Sequence, residues 1–76
     1  MIYGTVDGVK VKLIECLEGK SGKYVRASEL SGITELESEA FAGTGVKEVD
    51  LSTSMIVAVP ALTFADTSNL NSVKLP

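Results

Sequence analysis

The chain has 76 residues, which make one domain of marginal stability, and 45% hydrophobic with 22% charged residues is an ordinary globular balance. A net charge of −3, with seven scattered Lys and Arg, disfavours nucleic acid and anionic membranes as partners. The lack of histidine removes most nucleophile–base pairs, and the single Cys16 excludes an internal disulfide, so we expect Cys16 to be a buried or half-buried apolar residue.

The first 22 residues predict a capping β-hairpin. Asp7-Gly8 is a strong signal for a two-residue hairpin turn. Pairing across this turn places Tyr3 opposite Lys12 on one face, and Ile2 on the opposite, apolar face. Such a hairpin would cover the open end of a repeat core. Residues 19–22 predict a flexible turn after it, and the string 18–23 lacks the first glycine of a phosphate-binding loop, so we interpret it as a solvated turn.

A pattern of 23–24 residues recurs over residues 23–76, as a partial first coil followed by two repeats, 33–52 and 56–76. Phe41 matches Phe64, and the other matched positions are mostly apolar, while the residues between them vary. This is expected when each copy contributes the same inward-facing set to a continuous core. The predicted core residues are Val25, Ile33, Leu36, Phe41, Val49, Leu51, Ile56, Val59, Phe64, Leu70, Val73 and Leu75.

Three short parallel strands are predicted at 24–27, 47–51 and 71–75, because Val25, Val49 and Val73 recur at intervals of 24 residues. Residues 37–42 and 60–65 each predict one or two helical turns. The first segment has good helix formers followed by a glycine, and the second begins with a proline at a first helical position. These turns should direct Phe41 and Phe64 inward, so that their rings stack. The predicted fold class is therefore α+β, strand-rich, with the repeats arranged as a short solenoid behind the N-terminal capping hairpin.

The strings AFAGTGVKEVDLS and FADTSNLNSVKLP resemble the BspA-type leucine-rich repeat of bacterial surface proteins. Residues at matching places are Ala40, Phe41, Leu70, Val73, Leu75 and Pro76. The departures are Thr44 and Thr67 in place of the usual Cys, Ser52 in place of Pro, and Thr63 in place of Ala. The resemblance implies a leucine-rich-repeat solenoid in a secreted or cell-surface bacterial protein associated with adhesion and protein binding.

Stacking of the three valines would also align their outward neighbours in two rows. The rows are Tyr24–Glu48–Ser72 and Arg26–Asp50–Lys74. The second row alternates in charge, and strands about 4.8 Å apart should bring these charges into pairs. Two interpretations stay open for this face: a solubilising ladder that fixes strand register, or a candidate partner-binding face.

The carboxylates of Glu35, Glu37 and Glu39 alternate along the chain, but this spacing does not by itself make them converge. We interpret them as a solvated acidic surface rather than as a catalytic pair or a cation site. The sequence therefore predicts no catalytic residue, no metal site and no cofactor.

The leading functional interpretation is a non-enzymatic protein-interaction module. One alternative is a structural spacer or capping domain of a longer chain, and a weaker one is an enzyme accessory domain or small hydrolase. No apolar run reaches the ~20 residues that span a bilayer, so membrane insertion is not expected. The resemblance implies an extracellular or surface location within a longer exported chain, yet the chain shows no signal peptide, which leaves a cytoplasmic location open.

A second copy of the chain is also predicted as a partner. The strand at 71–75 would be an edge strand, and the core beside Phe64 and Leu75 would lie open there. Open edges of this kind recruit another chain. We therefore expect self-association through the C-terminal edge.

Overall fold

The computed structural model describes residues 1–16 and 24–76. Within them, regular structure consists of six short strands and one turn of 3₁₀ helix, Ala27–Glu29. The strands are β1 Ile2–Val6, β2 Val9–Glu15, β3 Tyr24–Val25, β4 Glu35–Leu36, β5 Glu48–Asp50 and β6 Ser72–Lys74. They form two three-stranded sheets, ordered β1-β2-β4 and β3-β5-β6. The predicted turn at 19–22 and the string 18–23 lie outside the described residues.

The predicted leucine-rich-repeat solenoid is wrong. Over residues 1–16 and 24–76 the chain forms two small sheets of short strands and almost no helix. Its radius of gyration is 11.2 Å, close to the about 11.4 Å expected for a compact domain of this length. A solenoid is a quasi-one-dimensional array in which each repeat contacts only its neighbours, whereas these strands pack into one small compact body.

The helical turns predicted at 37–42 and 60–65 do not form. Both stretches are successive tight turns instead. Glu39 has φ 64°, and Leu62 and Asp66 have φ 65° and 54°. An α-helix needs negative φ at every residue, so a left-handed residue inside each stretch interrupts any helix. Turns rather than helices therefore place the apolar residues of these segments, although the segments have local helical propensity.

The hairpin turn forms at the predicted place. Asp7 and Gly8 have φ values of 51° and 80°, the two consecutive positive angles that a type I′ turn requires. Across the turn Thr5 pairs with Lys10. The choice of Asp and Gly explains the conformation, because both tolerate the left-handed region better than other residues do.

The predicted faces of the hairpin are wrong beyond the turn. The register shifts between Gly4 and Thr5, so Gly4 pairs with Lys12 and Tyr3 pairs with Leu13. The pairing skips Val11, so the extra residue lies in β2, and it moves Leu13 from the face of Ile2 to the face of Tyr3. Tyr3 consequently packs against the core, where its hydroxyl donates to the backbone carbonyl of Glu29 at 2.8 Å.

The parallel pairing of the valine strands is confirmed. Val25 pairs with Val49 and Val49 pairs with Val73, in strands shorter than predicted. Val25 and Val49 are buried, whereas Tyr24 and Glu48, which precede them in the chain, are exposed. A second parallel pair, β2 with β4, places Leu13 beside Leu36, and this pairing was not predicted.

The core lies between the two sheets and the turns that join them. Its buried hydrophobic residues are Leu13, Cys16, Val25, Leu30, Ile33, Leu36, Ala40, Phe41, Val46, Val49, Leu51 and Ile56. Phe64, Leu70 and Val73 are half-buried against this cluster. Val59 and Leu75, predicted for the core, are exposed instead. The expected burial of Cys16 is confirmed.

Candidate interaction face

The sheet β3-β5-β6 presents a continuous polar surface on the side away from its buried valines. We call it the outer sheet face and define it by the predicted residues Tyr24, Arg26, Glu48, Asp50, Ser72 and Lys74. Together with the backbone between them, these six residues line one shallow concavity of about 180 Å³. The two rows predicted from the 24-residue spacing therefore lie on one surface.

The first row is held by strand pairing and by a side-chain hydrogen bond. Tyr24 pairs with Glu48, and Glu48 pairs with Ser72. The Ser72 hydroxyl donates to Glu48 Oε1 at 3.1 Å. The ring of Tyr24 is about half exposed beside this pair. An exposed aromatic ring on a rigid strand is the type of side chain that anchors protein interfaces.

The second row does not form the predicted ion pairs. Neither Arg26 nor Lys74 lies within 4.0 Å of a described carboxylate, although Asp50 and Lys74 are paired residues on neighbouring strands. Asp50 Oδ1 instead accepts the backbone N–H of Ser52 at 2.9 Å and the Ser52 hydroxyl at 2.5 Å. The Asp50 carboxylate reaches Ser52, two residues away, at little cost in conformational entropy. An ion pair with exposed Lys74 would require the long lysine side chain to be ordered.

The charge of Asp50 is fixed by the same contacts. Hydrogen bonds from the hydroxyl of Ser52, and then from its backbone N–H, hold the pKa of the Asp50 carboxyl below 3.8, and the nearby Lys74 ammonium adds to this effect. Asp50 is therefore ionised at neutral pH. The second row presents a carboxylate that has local partners, flanked by two cationic side chains that have no described carboxylate partner.

Arg26 occupies the junction between β3 and the 3₁₀ turn. Its backbone is extended, with φ −84° and ψ 156°, and its N–H donates to Glu29 Oε1 at 3.3 Å. The carbonyl of the next residue, Ala27, accepts the hydroxyl of Thr53 at 2.7 Å. These contacts fix the backbone from which the Arg26 side chain extends over the concavity.

The acidic residues Glu35, Glu37 and Glu39 do not form a cation site. Lys12 Nζ lies 3.0 Å from Glu37 and 4.0 Å from Glu35, because the β2–β4 pairing places Lys12 beside Glu35. Its hydrogen bond to Glu37 raises the pKa of the Lys12 ammonium. Among residues 1–16 and 24–76, no group of three His, Cys, Asp or Glu side chains could hold a metal ion.

Sequence reasoning missed the role of Lys12. The β2–β4 pairing places Lys12 beside Glu35. These two residues are far apart in the chain, so their contact could be predicted only by first predicting that the hairpin strand β2 pairs in parallel with β4.

An apolar depression at the C-terminal end is a second surface, and it lies where the sequence predicts an open core beside Leu75. We call it the C-terminal patch and define it by its lining residues, Ile56, Val57, Ala58, Val59, Leu75 and Pro76. Val57 is 98% exposed, an unusual degree for a valine in a cluster of apolar residues. In the part of the chain that the structure describes, no helix is long and apolar enough to cross a bilayer.

Comparisons of the chain with protein-family profiles, with curated proteins and with solved structures gave no match. The resemblance of its repeats to bacterial surface proteins therefore stays a prediction. What supports a function is the geometry of the outer sheet face and of the C-terminal patch.

Proposed function

We propose that the chain is a non-enzymatic protein-interaction module that binds its partner through the outer sheet face. The observation that carries this proposal is the convergence of Tyr24, Arg26 and Lys74 with the acidic residues on one concave surface. The backbone under this surface is fixed by parallel pairing above buried valines. A rigid site loses less entropy on binding than a mobile loop would.

The chemistry of the face favours a protein surface that presents acidic side chains beside an apolar group. Arg26 and Lys74 can donate hydrogen bonds to such carboxylates, and the Tyr24 ring supplies the apolar anchor. The carboxylates of Glu48 and Asp50 already accept hydrogen bonds from Ser72 and Ser52. These acidic residues therefore repel the acidic side chains of a partner bound in the wrong orientation, and in this way they help to orient the partner.

The affinity of a single copy should be weak. Three strands of two or three residues offer only part of the roughly 800 Å² per partner that a standard interface buries. Several copies displayed together would raise the apparent affinity by avidity. An extracellular or surface location in a bacterial protein is proposed on the resemblance of the two repeat strings alone.

A structural spacer is the second candidate function. The internal hydrogen bonds Ser72–Glu48 and Ser52–Asp50 favour it, because a ladder that satisfies its own carboxylates fixes register and keeps the surface soluble. A spacer needs no partner at the outer sheet face, and this difference makes the two functions separable by experiment.

The test is binding of the chain, displayed in multiple copies, to an array of purified extracellular-matrix and cell-surface proteins. We expect the double variant Tyr24→Ala/Arg26→Ala to lose at least about tenfold in apparent affinity. The matched control is Val6→Ala/Lys10→Ala, which removes one exposed apolar side chain and one cation from the hairpin. Equal binding by both double variants would move the site elsewhere, and no binding to any protein would favour the spacer.

We also propose that a second copy of the chain associates through the C-terminal edge. β6 is one of the two edge strands of its sheet, and Leu75 and Pro76, which follow it, line the C-terminal patch. Sedimentation across a concentration series tests this proposal. An apparent mass that stays at the mass of a single chain at every concentration would contradict it.

A further inference from the structure

The tip of the hairpin lies outside the core of the molecule. Asp7 and Gly8 are exposed, and the strand residues on either side of them, Val6 and Val9, are 60% and 62% exposed. A Cβ atom built at Gly8 would meet no atom within 4 Å. Among the described residues, the pairing of Val6 with Val9 is the main contact that holds the tip. The tip can therefore open locally while the core stays folded.

An Asp-Gly sequence brings a nucleophile and an electrophile together. The backbone nitrogen of Gly8 is the nucleophile, and glycine leaves it uncrowded because it has no Cβ. Attack on Cγ of Asp7 in its carboxylic acid form would create a C–N bond. The carboxyl hydroxyl would leave as water, together with the proton of the Gly8 N–H. The product is a succinimide ring.

Solvent water then opens such a ring at either of its carbonyl carbons. Attack at Cγ of Asp7 restores aspartate. Attack at the backbone carbonyl carbon of Asp7 breaks its bond to the Gly8 nitrogen, so that the chain runs through the side chain, as isoaspartate. Water is lost in the first step and regained in the second, so the conversion is an isomerisation that needs no oxidant or reductant.

The folded turn controls access to this reaction. Asp7 has φ 51° in a type I′ turn, and ψ of the first central residue of such a turn is about +30°. This ψ places the Gly8 nitrogen nearly opposite to Cβ across the Cα–C bond of Asp7. Ring closure requires rotation about that bond, and therefore requires the tip to open.

The other two aspartates of the chain are less suited to the reaction. Asp50 Oδ1 accepts hydrogen bonds from Ser52, and the N–H of Leu51, which follows Asp50, donates to a β6 carbonyl at 2.8 Å. Both reacting groups are thus engaged there. Asp66 is exposed, but the branched side chain of Thr67 crowds the backbone nitrogen that would attack it.

We propose that Asp7 is a site of spontaneous isomerisation to isoaspartate, and that this modification releases the hairpin from the rest of the fold. Isomerisation adds one carbon atom to the backbone of a two-residue loop. The type I′ turn depends on that loop length, and the strand register depends on the turn. Loss of the register separates Thr5 from Lys10 and withdraws Tyr3 from the core. The outer sheet face takes no part in this proposal.

The first test is prolonged incubation of the folded chain in neutral buffer at body temperature. Electron-transfer fragmentation of its tryptic peptides distinguishes isoaspartate from aspartate. We expect isoaspartate at Asp7 to be at least about tenfold more abundant than at Asp50 or Asp66, because the hairpin tip opens most readily. Equal amounts at the three positions, or none at Asp7, would overturn the proposal.

Asp7→Asn gives a second measurement that is resolved by mass. Asn-Gly also suits a type I′ turn, and it closes the same ring with loss of ammonia in place of water. Hydrolysis then leaves a carboxyl where there was an amide. We expect this mass change at residue 7 to be at least about tenfold faster than at Asn71, where the next residue is the bulkier Ser72. Equal rates would contradict the assignment of the site.

Asp7→Gly is the control for the structural consequence. Gly-Gly keeps the type I′ turn but has no carboxyl group to cyclise. After the same incubation, the wild-type chain should contain a fraction that unfolds at lower urea concentration, and this fraction should match the amount of isoaspartate. The Asp7→Gly chain should show no such fraction. An equal loss of stability in both chains would overturn the link between isomerisation and release of the hairpin.

Discussion

The rings of Phe41 and Phe64 lie face to face, with centroids 5.3 Å apart and planes inclined by 9°. This stacking was predicted from the repeat, and it is confirmed although the helical turns expected to direct the rings are absent. The pair is asymmetric, because Phe41 is fully buried and Phe64 is half-buried. The ring of Phe64 therefore separates the buried centre of the core from the open C-terminal end.

The first prediction follows from that asymmetry. Phe41→Ala should cost about 3–5 kcal/mol of unfolding free energy, because it leaves a cavity in the centre of the core. Phe64→Ala should cost clearly less, since its ring is partly solvated in the native fold. Urea unfolding followed by circular dichroism measures both. Equal losses would show that the two rings are equally important to the core.

The second prediction concerns the hydroxyl of Thr63, which is buried and donates to the Pro60 carbonyl at 2.7 Å. Thr63→Val keeps the shape of the side chain but leaves that carbonyl without this donor. We expect a loss of about 1–2 kcal/mol of unfolding free energy. The control is Thr5→Val, which makes the same change on the exposed surface of the hairpin. If the two variants unfolded at the same urea concentration, the hydrogen bond would contribute nothing net.

The third prediction concerns Asp50 and Ser52. Their hydrogen bonds lower the pKa of the Asp50 carboxyl below 3.8 in the folded chain, so this contribution to stability is present above pH 3.8 and disappears as the pH falls through the lower, folded pKa. Ser52→Ala should raise the pKa of Asp50, because the hydroxyl donor is lost while the backbone N–H remains. An NMR titration of the side-chain carboxyl carbon reads this directly, and an unchanged midpoint would refute it.

The fourth prediction concerns Lys12 at alkaline pH. Its hydrogen bond to Glu37 raises the pKa of the ammonium above 10.5 in the folded chain. The resulting stabilisation is complete below pH 10.5 and is lost as the pH rises through the higher, folded pKa. The difference in unfolding midpoint between the wild type and Lys12→Met should therefore shrink over that interval. A difference that is constant across it would assign the effect to packing of the lysine stem.

Strand pairing was readable from the sequence because it depends on apolar spacing. Val25, Val49 and Val73 recur at 24 residues, and a parallel register that buries the first two satisfies that spacing. The hairpin turn was readable because Asp7-Gly8 is one of few dipeptides suited to two consecutive positive φ angles. Each of these predictions follows from local chemistry or from simple periodicity.

The architecture was not readable, because the segments between strands obey tertiary rather than local preferences. Residues 37–42 are good helix formers, yet Glu39 adopts a left-handed conformation and its segment closes as turns. The bulge at Val11 that places Leu13 on the face of Tyr3 has no clear sequence signal either. The ion pairs predicted for Asp50 do not form. Its carboxylate accepts a hydrogen bond from Ser52 instead, which is closer in the chain than Lys74 is.

Cys16 is the one sulfhydryl group of the chain, it is 3% exposed, and its backbone N–H donates to the Ala40 carbonyl at 2.8 Å. A thiol-alkylating reagent can reach its sulfur only when that part of the fold opens. The rate of alkylation in native buffer therefore reports the opening equilibrium of the chain where β2 ends. Cys16 is therefore a native probe of local unfolding, and the measurement requires no introduced label.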